Sequence, residues 1–338
     1  MHNTAAIVFR DGITRFVKVG ANELLMDAAQ RHGVNLPVDC REGVCGTCRC
    51  VRESGDVDVE YIDDETLTEE EVADGHVLAC QTRLLSTQAS FYFDVDSSVC
   101  SVATEVHNGK VSEVKQVSDA AAILEITLDD PLQALQYLPG QYARIEVPGT
   151  SAWRAYSFAT ATVKDGKLRF LIRLLPSGVM SDYLRKSAVV GDAISLEAPL
   201  GAFYLREVQR PLLMVAGGTG LSAFLGMLDQ LENQGGMEQP IRLCYGVTQE
   251  TDLSELDRLE AFTHSLSDFA YETIVMNPGD GWQGRKGVVC DLFSPDFLAQ
   301  PFDAYLCGPP PMIEASKQWL ETSDVGEYRL FFEKFISS

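Results

Sequence analysis

Cys40, Cys45 and Cys48 follow one another in a C-x4-C-x2-C run, and Cys80 stands far downstream. Two irons bridged by sulfide need four thiolates, and a tight loop supplies at most three of them. The fourth must come from a separate segment that closes the other side. The spacing is that of a plant-type 2Fe–2S cluster. Gly43 and Gly46 lie between the ligands, where residues without side chains let backbone N–H groups turn toward the sulfurs. The competing chemistry is structural zinc, since Cys45-x-x-Cys48 alone would suit it. A zinc ribbon would want a second close pair, which Cys80 does not offer. Cys50 is off the spacing and reads as packing, as do Cys100, Cys244 and Cys290. Nine cysteines is an odd number, which argues against a disulfide framework.

A second constellation suits a flat aromatic cofactor. Arg154-Ala155-Tyr156-Ser157 sits on an expected strand, preceded by Pro139-Gly140-Gln141-Tyr142. Alternation puts Arg154 and Tyr156 on one face. Such a strand supplies an aromatic wall and a hydroxyl near a reactive ring nitrogen. The segment Arg173 to Ser181 follows, with Gly178 and a hydroxyl at an expected helix start, a place for a pyrophosphate. Farther on, Gly217-Gly218-Thr219-Gly220 ends an apolar strand and opens a helix, the setting for a dinucleotide pyrophosphate. After the next strand, Gln249 to Asp252 offers two acids and no Lys or Arg. Glu250 or Asp252 would suit a ribose hydroxyl, and nothing there suits an extra phosphate, so NADH is favoured over NADPH. Cys307-Gly308-Pro309-Pro310 closes a later strand at the ligand-binding edge of a parallel sheet, a seat beside a nicotinamide.

The elements that must position these groups change character along the chain. Residues 1–98 show two short strands around Asp11-Gly12, a helix over Glu23–His32, the cysteine loop, and a Thr68/Glu71 capping box. Residues 102–205 show short alternating strands punctuated by Gly and Pro, the pattern of a small antiparallel barrel. Residues 206–338 alternate apolar strands with helices, an α/β parallel-sheet pattern. The formal net charge of −22 argues against nucleic acid and anionic membranes as partners. The dense acidic run Asp63-Asp64-Glu65 and Glu69-Glu70-Glu71 reads as a solvated face or as a docking surface for a basic partner. No signal peptide or membrane-spanning stretch is apparent, so a cytoplasmic protein is expected. His2, His32, His76, His107 and His264 are scattered and receive no role.

With R-x-Y-S, the Arg173–Ser181 segment, G-G-T-G and C-G-P-P in this order, the chain resembles the ferredoxin-reductase superfamily over its whole length. The resemblance implies a multidomain protein combining α+β, all-β and α/β parts. These are a β-grasp 2Fe–2S ferredoxin domain, a six-stranded antiparallel FAD-binding barrel and a parallel-sheet NAD-binding domain. An N-terminal plant-type ferredoxin is similar to the subgroup that serves bacterial aromatic-ring oxygenases, the benzoate- and toluate-type dioxygenase reductases. By resemblance, Arg154, Tyr156 and Ser157 contact FAD, with Ser157 near the hydride-accepting nitrogen. Arg173, Gly178, Met180 and Ser181 hold its ribityl–pyrophosphate part, and Gly218, Thr219, Gly220, Cys307 and Gly308 line the NADH site. Members end on an aromatic residue that covers the flavin. This chain ends Phe331-Phe332-Glu333-Lys334-Phe335-Ile336-Ser337-Ser338, so Phe335 is the expected cover and Glu333 its catalytic neighbour.

The expected activity runs from NADH through FAD and the cluster to a Rieske-type terminal oxygenase, with the reductase a monomer. Plant-type clusters sit near about −400 mV and Rieske centres at roughly −150 mV or above, so about 250 mV favours that direction. The alternatives are a reductase for a diiron monooxygenase, with the same order of domains, and a non-enzymatic zinc-binding interaction module.

Overall fold

A computed structural model describes residues 3–64, 66–130 and 135–335. The chain divides into two compact units, Met1–Glu105 with Pro199–Ala202, and Val106–Ala198 with Phe203–Ser338.

The first unit is built on strands β1 (Asn3–Phe9), β2 (Thr14–Val19), β3 (Arg49–Ser54), β4 (Val57–Val59), β5 (His76–Leu78), β6 (Thr82–Leu84) and β7 (Gln88–Phe93). Its helices are α1 (Leu25–Arg31) and α2 (Glu69–Ala73). Five strands form one sheet in the order β2-β1-β7-β3-β5, with β1 antiparallel to β2 and parallel to β7. Along β1, alternate residues Ala5, Ile7 and Phe9 point inward and are buried, as a half-buried strand requires. Leu25, Met26, Ala28 and Ala29 of α1 are buried as well. This is the β-grasp expected of a ferredoxin-type domain. The helix is shorter than its expected span because Glu23 turns back instead, accepting from the Gly20 N–H at 2.6 Å and from Arg31. The Thr68/Glu71 capping box is present, with both hydrogen bonds made.

The second unit opens with six antiparallel strands, β8 (Glu105–Gln116), β9 (Ala121–Leu128), β10 (Tyr142–Glu146), β11 (Trp153–Ser157), β12 (Lys167–Arg173) and β13 (Ala193–Leu200). Their order is β11-β10-β13-β8-β9-β12. Ala159 donates to the Arg169 carbonyl at 2.8 Å and Phe158 bridges Phe170, joining the two end strands. Leu124, Ile126, Ile145, Phe158, Phe170 and Leu196 fill the interior. Strand β8 escapes a reading by alternation because its register slips between Val111 and Glu113, which breaks the period of two. Helix α3 (Val179–Lys186) interrupts the barrel between β12 and β13.

The rest of the unit is a sheet in the order β17-β16-β15-β14-β18-β19, every neighbouring pair parallel. Its strands are β14 (Leu212–Gly217), β15 (Ile241–Val247), β16 (Phe269–Val275), β17 (Arg285–Lys286), β18 (Phe302–Gly308) and β19 (Tyr328–Lys334). Helices α4 (Leu221–Asn233), α5 (Leu256–Ser265), α6 (Pro295–Leu298) and α7 (Pro310–Thr322) connect them. The central strands β14 and β18 are buried at every position, as parallel strands covered on both faces should be. Helix α5 starts only at Leu256, because Glu250–Asp252 forms a separate 3-10 turn ahead of it. No helix among the described residues is long and apolar enough to cross a membrane.

Candidate functional site

The cysteine loop lies between α1 and β3, and Cys80 follows β5. The four thiols come in two pairs, Cys40 hydrogen-bonded to Cys45 and Cys48 to Cys80. Two thiolates per iron is what a two-iron cluster needs. Among the described residues, no three His, Cys, Asp or Glu side chains gather as they would around a single ion. Cys45 and then the backbone N–H groups of Glu42, Val44 and Cys45 draw the Cys40 thiol below its ordinary range. Cys48 draws Cys80 down in the same way, helped by the Gln81 side chain and the Gly43 N–H. N–H donors aimed at sulfur favour the thiolate form that ligates iron.

Backbone geometry fixes this loop. Gly43 has φ +80°, and a Cβ there would lie 2.6 Å from the Tyr61 carbonyl oxygen, so only glycine fits. Gln81 is buried and donates through one amide nitrogen to the Arg41 carbonyl at 2.9 Å, with the Cys80 sulfur 3.8 Å away. It fastens Cys80 to the loop that carries Cys40, Cys45 and Cys48. Nothing in the sequence pattern singles Gln81 out. Part of the acidic run is structural: Glu71 closes the capping box and pairs with Arg49 at 2.9 Å. Glu65 and His2 lie outside the described residues. Cys50 is buried in β3, Cys100 and Cys244 are buried, and Cys290 is only half-buried, 3.7 Å from the Ser316 hydroxyl.

Strands β10 and β11 lie side by side, with Tyr142 opposite Ser157, Ala143 opposite Tyr156 and Ile145 opposite Arg154. The P-G-Q-Y and R-x-Y-S segments are thus one surface. Ser157 is buried, Arg154 and Tyr156 are half-buried, and burial pushes the Tyr156 phenol up, keeping it neutral. From β12 the chain runs through exposed Arg173 to α3. Ser181 accepts from the Leu175 N–H at 2.9 Å, and Met180 packs into the barrel interior. Their side chains therefore shape the turn from inside. Arg173 and the uncapped N–H groups after Gly178 remain for an anion.

The nucleotide motifs converge at the carboxyl edge of three neighbouring strands. Ala216 of β14 is opposite Cys307 of β18, which is opposite Glu333 of β19. A Cβ on Gly220 would lie 2.2 Å from the Cys307 carbonyl oxygen, so the G-G-T-G turn and the C-G-P-P turn touch through bare backbone. Thr219 lies in the 3-10 turn Gly218–Gly220, and α4 starts behind it with no side-chain cap, leaving N–H groups for a phosphate. Cys307 is fully buried, and burial followed by the Glu333 charge holds its thiol well above the usual value. It is a neutral thiol, not a nucleophile. The Phe335 N–H donates to the Gly308 carbonyl at 2.9 Å, seating the last described aromatic beside this edge. Glu250 and Asp252 are both engaged by backbone: Glu250 accepts from the Gly279 N–H at 3.1 and 3.0 Å, and Asp252 from the Gln249 N–H at 2.9 Å. A polar cleft of about 1000 Å³ elsewhere in this unit, lined by Lys115, Thr160, Asp229, Glu255 and Arg258 among others, includes none of these residues.

An antiparallel barrel with an R-x-Y-S strand, followed by a parallel sheet with a Gly-rich turn, defines a flavin and nicotinamide oxidoreductase, here with an iron–sulfur domain. Comparison with known proteins bears this out. The 2Fe-2S iron-sulfur cluster binding domain family matches residues 8–85. The oxidoreductase FAD-binding domain family matches residues 108–204, and the oxidoreductase NAD-binding domain family residues 214–318. The chain is 48% identical to the anthranilate 1,2-dioxygenase electron transfer component of Acinetobacter baylyi, over 100% of this chain and 98% of that protein. It is 44% identical to the toluate 1,2-dioxygenase electron transfer component of Pseudomonas putida, over 100% of both. Identity to the 2-halobenzoate 1,2-dioxygenase component of Burkholderia cepacia is 39%, over 99% of this chain and 98% of that one. It falls to 30% for a propane 2-monooxygenase reductase of Rhodococcus jostii, over 95% and 89%. An Amycolatopsis cytochrome P450 reductase has the same fold, with a TM-score of 0.70 and 28% identity over 97% of this chain and 99% of that one. The chain belongs to the family of electron transfer components of aromatic-ring dioxygenases.

Proposed function

We propose that this protein carries electrons from NADH through FAD and a 2Fe–2S cluster to a Rieske-type terminal oxygenase that dihydroxylates benzoate, as a monomer in the cytoplasm. The cluster belongs to residues 1–98, the flavin to 102–205 and the nucleotide to 206–338. Bound FAD turns a two-electron hydride into single electrons, and the cluster carries them one at a time.

The observation that carries this reading is the meeting of the two cofactor motifs: the helix behind G-G-T-G lies against the end of the R-x-Y-S strand, with the Ser222 hydroxyl 2.8 Å from the Ser157 carbonyl oxygen. Cys40 and Cys45 would hold one iron, and Cys48 and Cys80 the other. Tyr156 would offer its ring to the flavin, Arg154 its charge, and Ser157 its hydroxyl at the reacting edge. Cys307 and Glu333 would orient the nicotinamide, with Phe335 displaced to admit it. A neutral Cys307 packs against a ring without competing as a nucleophile. The absence of cations from Gln249 to Asp252 supports NADH.

Relatives that serve dioxygenases of substituted benzoates stand at 39–48% identity, against 30% for the propane monooxygenase reductase. That contrast favours an aromatic acid dioxygenase over a diiron monooxygenase. The test is coupled turnover. The protein, NADH and oxygen are mixed with a purified benzoate dioxygenase oxygenase, and in parallel with a phenol hydroxylase oxygenase. Diol formation in step with NADH consumption is expected in the first. Product in the second alone would move the protein to the monooxygenase group.

A further inference from the structure

Ser222 is the second residue of α4, directly behind the Gly-rich turn, and is 1% exposed. A serine inside a helix ordinarily bonds its own preceding turn or solvent. This one donates across to another layer, to the Ser157 carbonyl at 2.8 Å. The contact begins a seam. One turn on, Gly226 passes beneath the Phe158 and Thr160 carbonyls, each 3.0 Å from where a Cβ would stand. Asp229 then accepts from the Ala161 N–H at 2.8 Å. From α5, Arg258 donates to the Ala159 carbonyl at 2.8 Å, with its guanidinium 3.8 Å from Asp229. Residues 157, 159 and 161 are therefore held by side chains of the α/β layer. The barrel holds the same segment through Phe158 N–H to Gln141 and Ala159 N–H to Arg169.

We infer that Ser222 is a positioning residue for hydride transfer from NADH to the flavin. It fixes the backbone of Ser157, at the flavin's reacting edge, to the helix whose first turn takes the dinucleotide. The two rings then meet at one separation. This rests on the function proposed above. In the step it serves, one hydride leaves the dihydronicotinamide, which is oxidised, and arrives on the flavin, which is reduced; no further reactant is needed. Ser222 touches neither ring and acts through Ser157. A displacement of about 1 Å in such a step costs on the order of a hundredfold in rate.

The experiment is anaerobic stopped-flow reduction of the flavin by NADH in the wild type, Ser222→Ala and Ser222→Cys. It is paired with amide hydrogen exchange of residues 153–161 in FAD-free protein. For Ser222→Ala, the rate at saturating NADH is expected to fall about tenfold to a hundredfold, with half-saturation and FAD content unchanged. Exchange over 153–161 should quicken. Ser222→Cys keeps a weaker donor and should lie between the two; it carries the test if the alanine variant does not fold. An unchanged rate in both variants overturns the inference. So does a loss of rate that only tracks lost FAD or lowered melting temperature, since that is a structural role. Failure of NADH to reduce the wild-type flavin would instead overturn the functional reading itself.

Discussion

At the scale of single residues, the cysteines of the loop and Cys80 differ from the packed ones in pairing with each other, and within each pair one thiol, Cys45 or Cys48, is pushed up while its partner is drawn down. Cys40 and Cys80 are drawn toward ionisation by a partner thiol and N–H groups. Cys100 and Cys244 have no such donors; burial first, then nearby acidic groups, Asp11 for Cys100 and Glu272 for Cys244, push both up to about 12. Substitution should respect that division. Cys45→Ser is expected to abolish reduction of one-electron acceptors that draw on the cluster, while NADH still bleaches the flavin; an equal loss of both activities in a folded variant would contradict the order of electron flow. The cysteine spacing was legible because the four proposed ligands fall in one loop and one outlier. Gln81 and Ser222 were not legible. Each is a single polar residue whose partner lies 40 and 65 positions away, and no periodicity marks such a pair.

At the scale of elements, the sheet edge depends on how β18 and β19 are held in register. Asp303 and Arg329 are direct partners across that pair. The Asp303 carboxylate is fully buried and receives the guanidinium bidentately, Nε to Oδ1 at 2.7 Å and Nη2 to Oδ2 at 2.5 Å. Removing the arginine leaves the buried carboxylate without compensation, at a cost of up to about 3–5 kcal/mol for a fully buried pair and less here, where the Arg329 side chain is 39% exposed. Arg329→Leu should therefore lower the unfolding free energy of the second unit by about 1–3 kcal/mol, read from denaturant midpoints. A change within experimental scatter would mean that the carboxylate is satisfied by other donors or by water. On the role proposed for Glu333, which rides on β19, the same variant should weaken NADH binding. The strands around this edge were readable as part of an α/β pattern, since buried parallel strands are continuous apolar runs. Strand β8 and the start of α5 were not. A bulge erased the alternation of the first, and a 3-10 turn held by Asp252 took the opening of the second.

At the scale of the whole molecule, 49 acidic residues face 27 lysines and arginines, an excess that repels itself, yet particular acids stabilise the fold only while ionised. Several are held below their usual pKa in the folded chain. Asp11 is lowered first by the Ser97 hydroxyl, Glu23 by Arg31, and Asp192 by the Val189 N–H and then Tyr183. A carboxylate whose folded pKa lies below its unfolded one stabilises the fold above the unfolded value of about 4. That contribution is lost as pH falls through the folded value. At the same time the protein's own cations lose their counter-charges. The urea midpoint should hold between pH 7 and 5 and drop steeply below about 4; a midpoint flat down to pH 3 would show that these bonds contribute nothing.

Residue order alone carried the cofactor classes, the order of the three matched families and the proposal of four cysteines for the cluster. Those depend on local spacing, on strand and helix periods, and on short turns whose glycines are read directly. Contacts that close through space had to be seen folded. The two-and-two pairing of the thiols, the meeting of G-G-T-G with C-G-P-P, the inward turn of Met180 and Ser181, and the seam from Ser222 to Asp229 each join segments distant in sequence. Which atoms meet there follows from how the layers pack, and packing is a property of all the side chains together.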